Sequence, residues 1–306
     1  MKKIIYNLIL LFLISINGIS QEQAQFSMYR FNPLTFNPAY AGSRDALSVT
    51  ALGRRQWVNL EGAPTTGVLT IHTPLKGRKL NAGLSFNYDE IGSTKKTSVF
   101  GDISYRLNLN SKTRISFGVK GGVDLYTINY SNLEVMHGED PILNSPVRNQ
   151  MLPNFGAGIY IDNENSFVGL ASPRLLKGSV ENGAIAGNGL KQMNHYYFMA
   201  GHTFKIKSYF DLIPITNFKM APNSPLSIDL NVNGLFYDKY WVGLGVRFGD
   251  AILASFMYEF TEQFRIGYAY DRSISELSSF NNGSHELMIN YDMNYSKYGV
   301  RTPRKF

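Results

Sequence analysis

From residue 45 onward the chain is written largely in period two. Over 80–88, Leu80, Ala82, Leu84, Phe86 and Tyr88 fall on one side, while Asn81, Gly83, Ser85 and Asn87 fall on the other. Ile115, Phe117, Val119, Gly121, Val123 and Leu125 are likewise opposed by Ser116, Gly118, Lys120, Gly122 and Asp124. The division recurs in 226–233, in 240–248 and in 264–271. Successive side chains of a strand point to opposite faces, so each stretch reads as a strand with one apolar and one polar face. The pattern predicts fourteen strands, at 45–57, 66–74, 80–89, 96–107, 113–127, 153–162, 165–172, 194–206, 209–217, 225–237, 239–248, 251–260, 263–273 and 284–294. The seventh is short and the ninth contains Pro214, which offers no ladder donor.

A soluble sandwich also alternates, and the composition of the faces decides between the two. The polar face carries Gly, Asn, Ser and isolated charges of both signs, which suits a crowded polar lumen. The apolar face carries aromatic pairs (Phe86 and Tyr88, Phe100 and Tyr105, Tyr258 and Phe260, Tyr268 and Tyr270) that read as interfacial girdles. The expected fold is all-β: a transmembrane antiparallel β-barrel of about 14 strands with a short non-regular N-terminal segment. Arginine at Leu84 or Leu230 is then expected to disrupt the barrel, and arginine at Ser85 or Asn231 to be tolerated better. Connections after even strands are short, whereas those at 128–152 and 173–193, after odd strands, are long. Short turns belong at the periplasmic rim of such barrels, which puts both termini in the periplasm and the barrel in the outer membrane.

Composition adds the compartment. Lys2 and Lys3 precede a mostly apolar run from Ile4 to Ile16, and Gly18 to Ser20 provide small residues for cleavage, so residues 1–20 read as a secretory signal with Gln21 as the new terminus. Cleavage after Ala24 is the alternative. The chain then divides into this signal, a pre-barrel periplasmic segment (21–44), the barrel (45–294) and a basic periplasmic tail (295–306). With no cysteine there is no disulfide framework and no lipid-bearing cysteine. The formal charge of +7, or +5 without Lys2 and Lys3, is scattered outside the tail, and no nucleic-acid footprint emerges.

Ahead of the first strand lies FNPLTFNPAYAG, residues 31–42. Proline fixes φ and removes a donor, so this stretch is neither regular helix nor central strand. One reading makes Phe31, Asn32, Pro33, Phe36, Asn37, Pro38 and Tyr40 a stiffened aromatic element that packs into the barrel mouth or meets a partner. The other makes it a lead-in covering the start of the first strand. Ten charges fall in the polar register and are expected to line the lumen: Asp102, Asp124, Asp229, Glu259, Asp271 and Glu286 against Arg106, Lys120, Arg247 and Arg265. Six acids to four bases argue against an anion-selective pore. Paired, they would fill the interior; unpaired, they would line a channel.

Catalysis finds no constellation. The five histidines (His72, His137, His195, His202, His285) lack the paired spacing of a metal site, and adjacent Ser284 and His285 point to opposite faces of a strand. Residues 137–140, His-Gly-Glu-Asp, lack an EF-hand pattern, and Gly243-Leu244-Gly245 sits in a strand with no helix to follow. No enzyme activity, cofactor or metal is expected.

The run Phe26-Ser27-Met28-Tyr29-Arg30 followed by FNPLTFNPAYAGSRDALSVTALGRRQWVNLEGAPTT closely resembles the start of the PorP/SprF family of outer-membrane proteins attached to type IX secretion. The likeness continues through SKTRISFGVKGGVDLY, LPNFGAGIYI, ASPRLL, APNSPLSIDLN, RIGYAYD and GSHELMINYD. It implies a barrel that works with type IX secretion components and helps a particular cargo, carrying a C-terminal secretion domain, to reach or stay on the cell surface, often in connection with gliding adhesins. Barrel architecture alone would equally suit a passive porin or small-solute channel.

Overall fold

The computed structural model describes residues 25–75, 78–129, 148–180, 190–222 and 224–293. Its strands are β1 (Leu47–Arg55), β2 (Thr65–Pro74), β3 (Leu80–Ile91), β4 (Thr94–Asn108), β5 (Arg114–Ile128), β6 (Arg148–Asp162), β7 (Ser166–Ser172), β8 (Gly178–Val180), β9 (Leu190–Gln192), β10 (Tyr196–His202), β11 (Phe204–Lys207), β12 (Phe210–Met220), β13 (Ser227–Phe236), β14 (Tyr240–Arg247), β15 (Ala251–Glu259), β16 (Phe264–Ser273) and β17 (Ser284–Met293). β1 to β7, β10 and β12 to β17 pair antiparallel with their neighbours, β10 with β12 and β1 with β17, so fourteen strands close into a barrel. Closure leaves the fourteen-strand wall without the long free edges of an open sheet.

Each predicted strand is present, most of them within three residues of the expected bounds. The eighth splits into β10 and β11 at Thr203. Pro214 lies opposite that break: β12 pairs with β10 from Ile215 onward and with β11 up to Leu212, so the missing donor costs little there. β8 and β9 form a separate two-stranded hairpin within the long connection after β7, too short to leave a periodic signature. β4, β5 and β6, at 15 residues each, make the tallest part of the wall.

The turns at 109–113, 163–165, 237–239 and 260–263 gather at one rim, called here the turn rim. The connections 129–147 and 173–195 leave from the other, the loop rim. β1 begins and β17 ends at the turn rim, where Leu47 pairs with Met293.

Outward positions carry the apolar line, with Leu84 (49%), Leu230 (42%), Val119 (59%) and Leu244 (65%) exposed, as a lipid-facing surface requires. One girdle assignment is corrected. Phe100 is only 2% exposed and faces the lumen, whereas Tyr105, 46% exposed, faces outward. Five residues apart on one strand, the two cannot share a face.

Inside, the polar register is less polar than its sequence suggests. Ile213, Ile215, Leu235, Leu253, Met257 and Met288 all point inward and are buried. All but Leu253 share one apolar cluster with residues from the segment 25–46, which runs through the barrel.

Candidate functional site: the occupied lumen

The N-terminal segment forms three single 3-10 turns, Tyr29–Phe31, Pro33–Thr35 and Pro38–Tyr40. The two FNP repeats explain two of them. Proline is suited to the first position of a helical turn, where its missing N–H would be unpaired anyway and its φ is already set. Asn37 caps its turn by accepting from the Ala39 amide (3.0 Å), and its side-chain amide donates to the Ile159 carbonyl on β6 (3.0 Å). Asn32 is used differently, accepting from the Thr70 hydroxyl on β2 (2.8 Å).

The path has three passes. Residues 25–27 lie at the loop rim, where Arg247, the last residue of β14, donates to the Phe26 carbonyl (3.5 Å). The chain descends past Asn231, which donates to the Tyr29 hydroxyl (2.7 Å), until Arg30 lies 4.0 Å over the ring of Trp241 near the turn rim. It then climbs to Phe36, packed on Tyr197 (4.8 Å) and Phe26 (5.8 Å). From there it descends again through Tyr40, edge-on to His72 and Tyr160 (both 5.4 Å), and leaves into β1 at the turn rim. The segment expected to precede the barrel on the periplasmic side therefore lies within the lumen. Among the described residues Gln25 lies at the loop rim and Met293 at the turn rim, and the buried path between Gln25 and β1 reverses direction twice, which period-two reasoning cannot follow.

Glycines make the bed. A Cβ on Gly118 would collide with the Ala39 amide and the Pro38 carbonyl carbon, and one on Gly158 with the Asn37 side chain. Here the chain passes against bare backbone. Met28, Leu34, Ala39 and Ala41 are at most 1% exposed, so among the described residues the strap is closely packed against the wall at mid-lumen.

Charge is arranged in two layers. At the loop rim, Arg54 on β1 donates to Asp271 on β16 (2.7 Å) and to Glu286 on β17 (3.1 Å). Glu286 also accepts from the amides of Ser27 (2.8 Å) and Met28 (2.7 Å), while the Ser27 hydroxyl donates to Asp271 (2.6 Å). Arg247 pairs with Asp229 (3.0 Å) beside them. At the turn rim, Arg44 and Arg265 both hold Asp292, and Asp45 accepts from Arg106 (2.6 Å) and Arg114 (2.9 Å), the latter also bonded to Asp162. Glu259 accepts from the Trp241 indole (2.7 Å). Between the layers Lys120 faces Asp102 (3.5 Å) and donates to the Leu34 carbonyl (3.4 Å).

The ten charges expected in the lumen face inward and are paired; nine of them are buried, and Glu259 is half-buried at the turn rim. The residues sequence reasoning missed are Arg44, Asp45, Arg54, Arg114, Asp162, Arg174 and Asp292. Arg54, Arg114, Asp162 and Asp292 stand in the inward register of their strands and were legible there; Arg44, Asp45 and Arg174 lie outside strands and carry no periodic signal. Of the partner candidates, Asn32, Pro33, Phe36, Asn37, Pro38 and Tyr40 are buried, and Phe31 is half-buried, edge-on to Trp241 at 5.5 Å. Trp241, Glu259 and Arg265 line an open recess of about 640 Å³ at the turn rim.

The connection after β7 folds back over the loop-rim mouth. Arg174 grips Asp124 (2.8 Å), Gln192 donates to Asp124 (2.5 Å), and Asn154 accepts from the amides of Leu175 and Leu176. Burial alone would lower the Arg174 pKa, but its bonds and charge pairing with Asp124 outweigh it and hold the guanidinium above its ordinary value. His195, just before β10, is pushed down to about 3 by burial and then by Lys219, so it is neutral at physiological pH. The Phe100 ring sits against Arg174 (5.4 Å) and Lys120 (5.5 Å), which accounts for its inward position. Residues 137–140, and Gly187 in the long connection after β7, lie outside the described residues.

A closed fourteen-strand barrel with an apolar belt outside and a strap filling its lumen defines an outer-membrane β-barrel protein. Residues 19–291 match the model of the type IX secretion system membrane protein PorP/SprF, and the chain belongs to that family. No curated protein matches the chain in sequence. Among solved structures, the CymD monoaromatic hydrocarbon channel is similar at a TM-score of 0.52 and 11% identity, over 92% of this chain and 96% of that one. The outer membrane protein Omp33 of Acinetobacter baumannii gives 0.47 at 9% identity, over 81% and 98%. At 11% identity the likeness to CymD is one of fold.

Proposed function

We propose that this barrel assists the secretion or surface attachment of one cargo protein with a C-terminal secretion domain, such as a gliding adhesin, as a partner of type IX secretion components. The turn rim faces the periplasm, and the barrel does not serve as a passive solute channel. The observation that carries this reading is the strap of residues 25–46, which runs through the lumen between the two rims and is packed against the wall at mid-height. A porin requires an open path, and here the mid-lumen side chains have almost no contact with solvent. A barrel that conducts nothing by itself is suited to presenting two shaped faces to partners.

Within that reading Phe31 is the partner-binding element of the strap, because it alone among the strap's FNP aromatics is not buried and it stands beside Trp241 and the turn-rim recess. Loss of an aromatic anchor commonly costs about 2 kcal/mol or more, about thirtyfold in affinity. The test is Phe31→Ala, with heat-modifiability of the barrel in outer-membrane fractions and cargo on the cell surface measured together. An intact barrel with reduced cargo display is expected. Undiminished display would remove Phe31 from the docking role, and undiminished display after deletion of the whole protein would overturn the function.

A further inference from the structure

The strap has a direction, and that direction bears on where the chain begins. Residues 25–27 are fixed at the loop rim by groups from four strand ends: Arg247 on β14, Asp271 on β16, Glu286 on β17 and, through the same carboxylates, Arg54 on β1. For residues ahead of Gln25 to reach the turn rim, a fourth pass through the lumen would be needed. The lumen has no room for one, since Met28, Leu34, Ala39 and Met288 at its mid-level are at most 1% exposed. We infer that the chain enters its own barrel through the loop-rim mouth, so that the mature N-terminus and the ends of the long connections share one face. Combined with the orientation proposed above, that face is the outside of the cell, and the chain crosses the membrane inside the barrel as well as in its wall.

A topological constraint follows. The strap continues covalently into β1, and β1 closes the barrel by pairing with β17. Once that seam has formed, the strap cannot be placed without drawing a free end through the lumen, so the seam must close around it. Glu286 suits this role. It lies on the closing strand and accepts two strap amides together with Arg54 from the strand across the seam. The carboxylate that fixes the strap is also the one bonded across the seam.

The experiment places a Gly-Cys-Gly-Ser insert between Ala24 and Gln25, which remains in the mature chain for cleavage after either Ser20 or Ala24. Intact cells are treated with a membrane-impermeant maleimide, with Lys112→Cys in a turn-rim hairpin and Gly187→Cys in the chain between β8 and β9 as references. The insert is expected to label together with Gly187→Cys, and Lys112→Cys only after permeabilisation. If the insert labels together with Lys112→Cys, the inference is overturned. If Lys112→Cys labels on intact cells and Gly187→Cys does not, the orientation fails, while the insert still reports whether it shares a face with Gly187. In the purified barrel, Ser27→Cys with Asp271→Cys should form a disulfide that shifts gel mobility and is lost on reduction. A pair that stays reduced under mild oxidant in a heat-modifiable barrel would overturn the threaded path, whichever way the protein faces.

Discussion

Ser85 and Leu84 are neighbours on β3 and live in different solvents. Leu84 is 49% exposed on the outward face, and an arginine there puts a charge into lipid at about 2–4 kcal/mol. Period-two reasoning makes Ser85 the tolerant site, yet Ser85 is fully buried and donates to Asp102 (2.9 Å). Asn231 is likewise engaged, with the Tyr29 hydroxyl. Arginine at Ser85 is therefore expected to lower the yield of folded, heat-modifiable barrel about as severely as arginine at Leu84, because the inward face is polar without being wet. Ser85→Ala should be mild. Glycine gives a sharper residue-scale contrast. Gly118→Leu drives a side chain into the strap backbone and should destabilise the barrel by about 1–3 kcal/mol in denaturant unfolding, the usual range for overpacking. Gly53→Leu, on the outward face of β1 with open space around it, should be nearly neutral. Equal effects at the two glycines would show that the strap does not lie on Gly118.

At the scale of elements, the strands were legible because a barrel wall repeats one simple rule, and the rule survives even where Pro214 interrupts it. The strap's path was not legible. Its turns are set by proline and asparagine one at a time, and the contacts that place it join residues such as Ser27 and Glu286, far apart in sequence. A trace of it was nevertheless present in the wall. β15 carries Leu253 and Met257 on its inner face as well as Ile252 and Phe256 on its outer face, and a strand apolar on both faces needs something apolar inside. Arg54 is where strap and wall meet. Arg54→Met leaves Asp271 and Glu286 buried beside each other without their shared cation, and removing one partner of a buried pair typically costs about 3–5 kcal/mol. The expected outcome is a lower denaturant midpoint and faster cleavage of residues 25–46 by added protease in the purified barrel. An unchanged midpoint would mean that this cluster does not hold the seam.

Across the whole molecule, the question is whether the barrel is a wall around a plug or a channel with a removable stopper. The two ionic layers and the apolar middle favour the first, because leaving the lumen would expose Met28, Leu34, Phe36 and Tyr40 to water, part Asp45 from Arg106 and Arg114, and take the Ser27 and Met28 amides from Glu286 and Arg44 from Asp292. Burial of each large apolar side chain contributes roughly 1.5–3 kcal/mol, so spontaneous release of the strap should be rare on the timescale of an electrical recording. The purified protein in a planar bilayer is accordingly expected to show little or no steady conductance. Deleting residues 25–44 while keeping the signal and β1 should, in whatever fraction still folds, yield a conductance limited only by the emptied barrel. Gly118→Leu should fall between, with flickering openings as the strap is lifted from its bed. The order of these three recordings is the measurement. A wild-type barrel that conducts as steadily as the deletion would mean that the strap leaves room for ions, and the passive-channel reading would then replace the one proposed here.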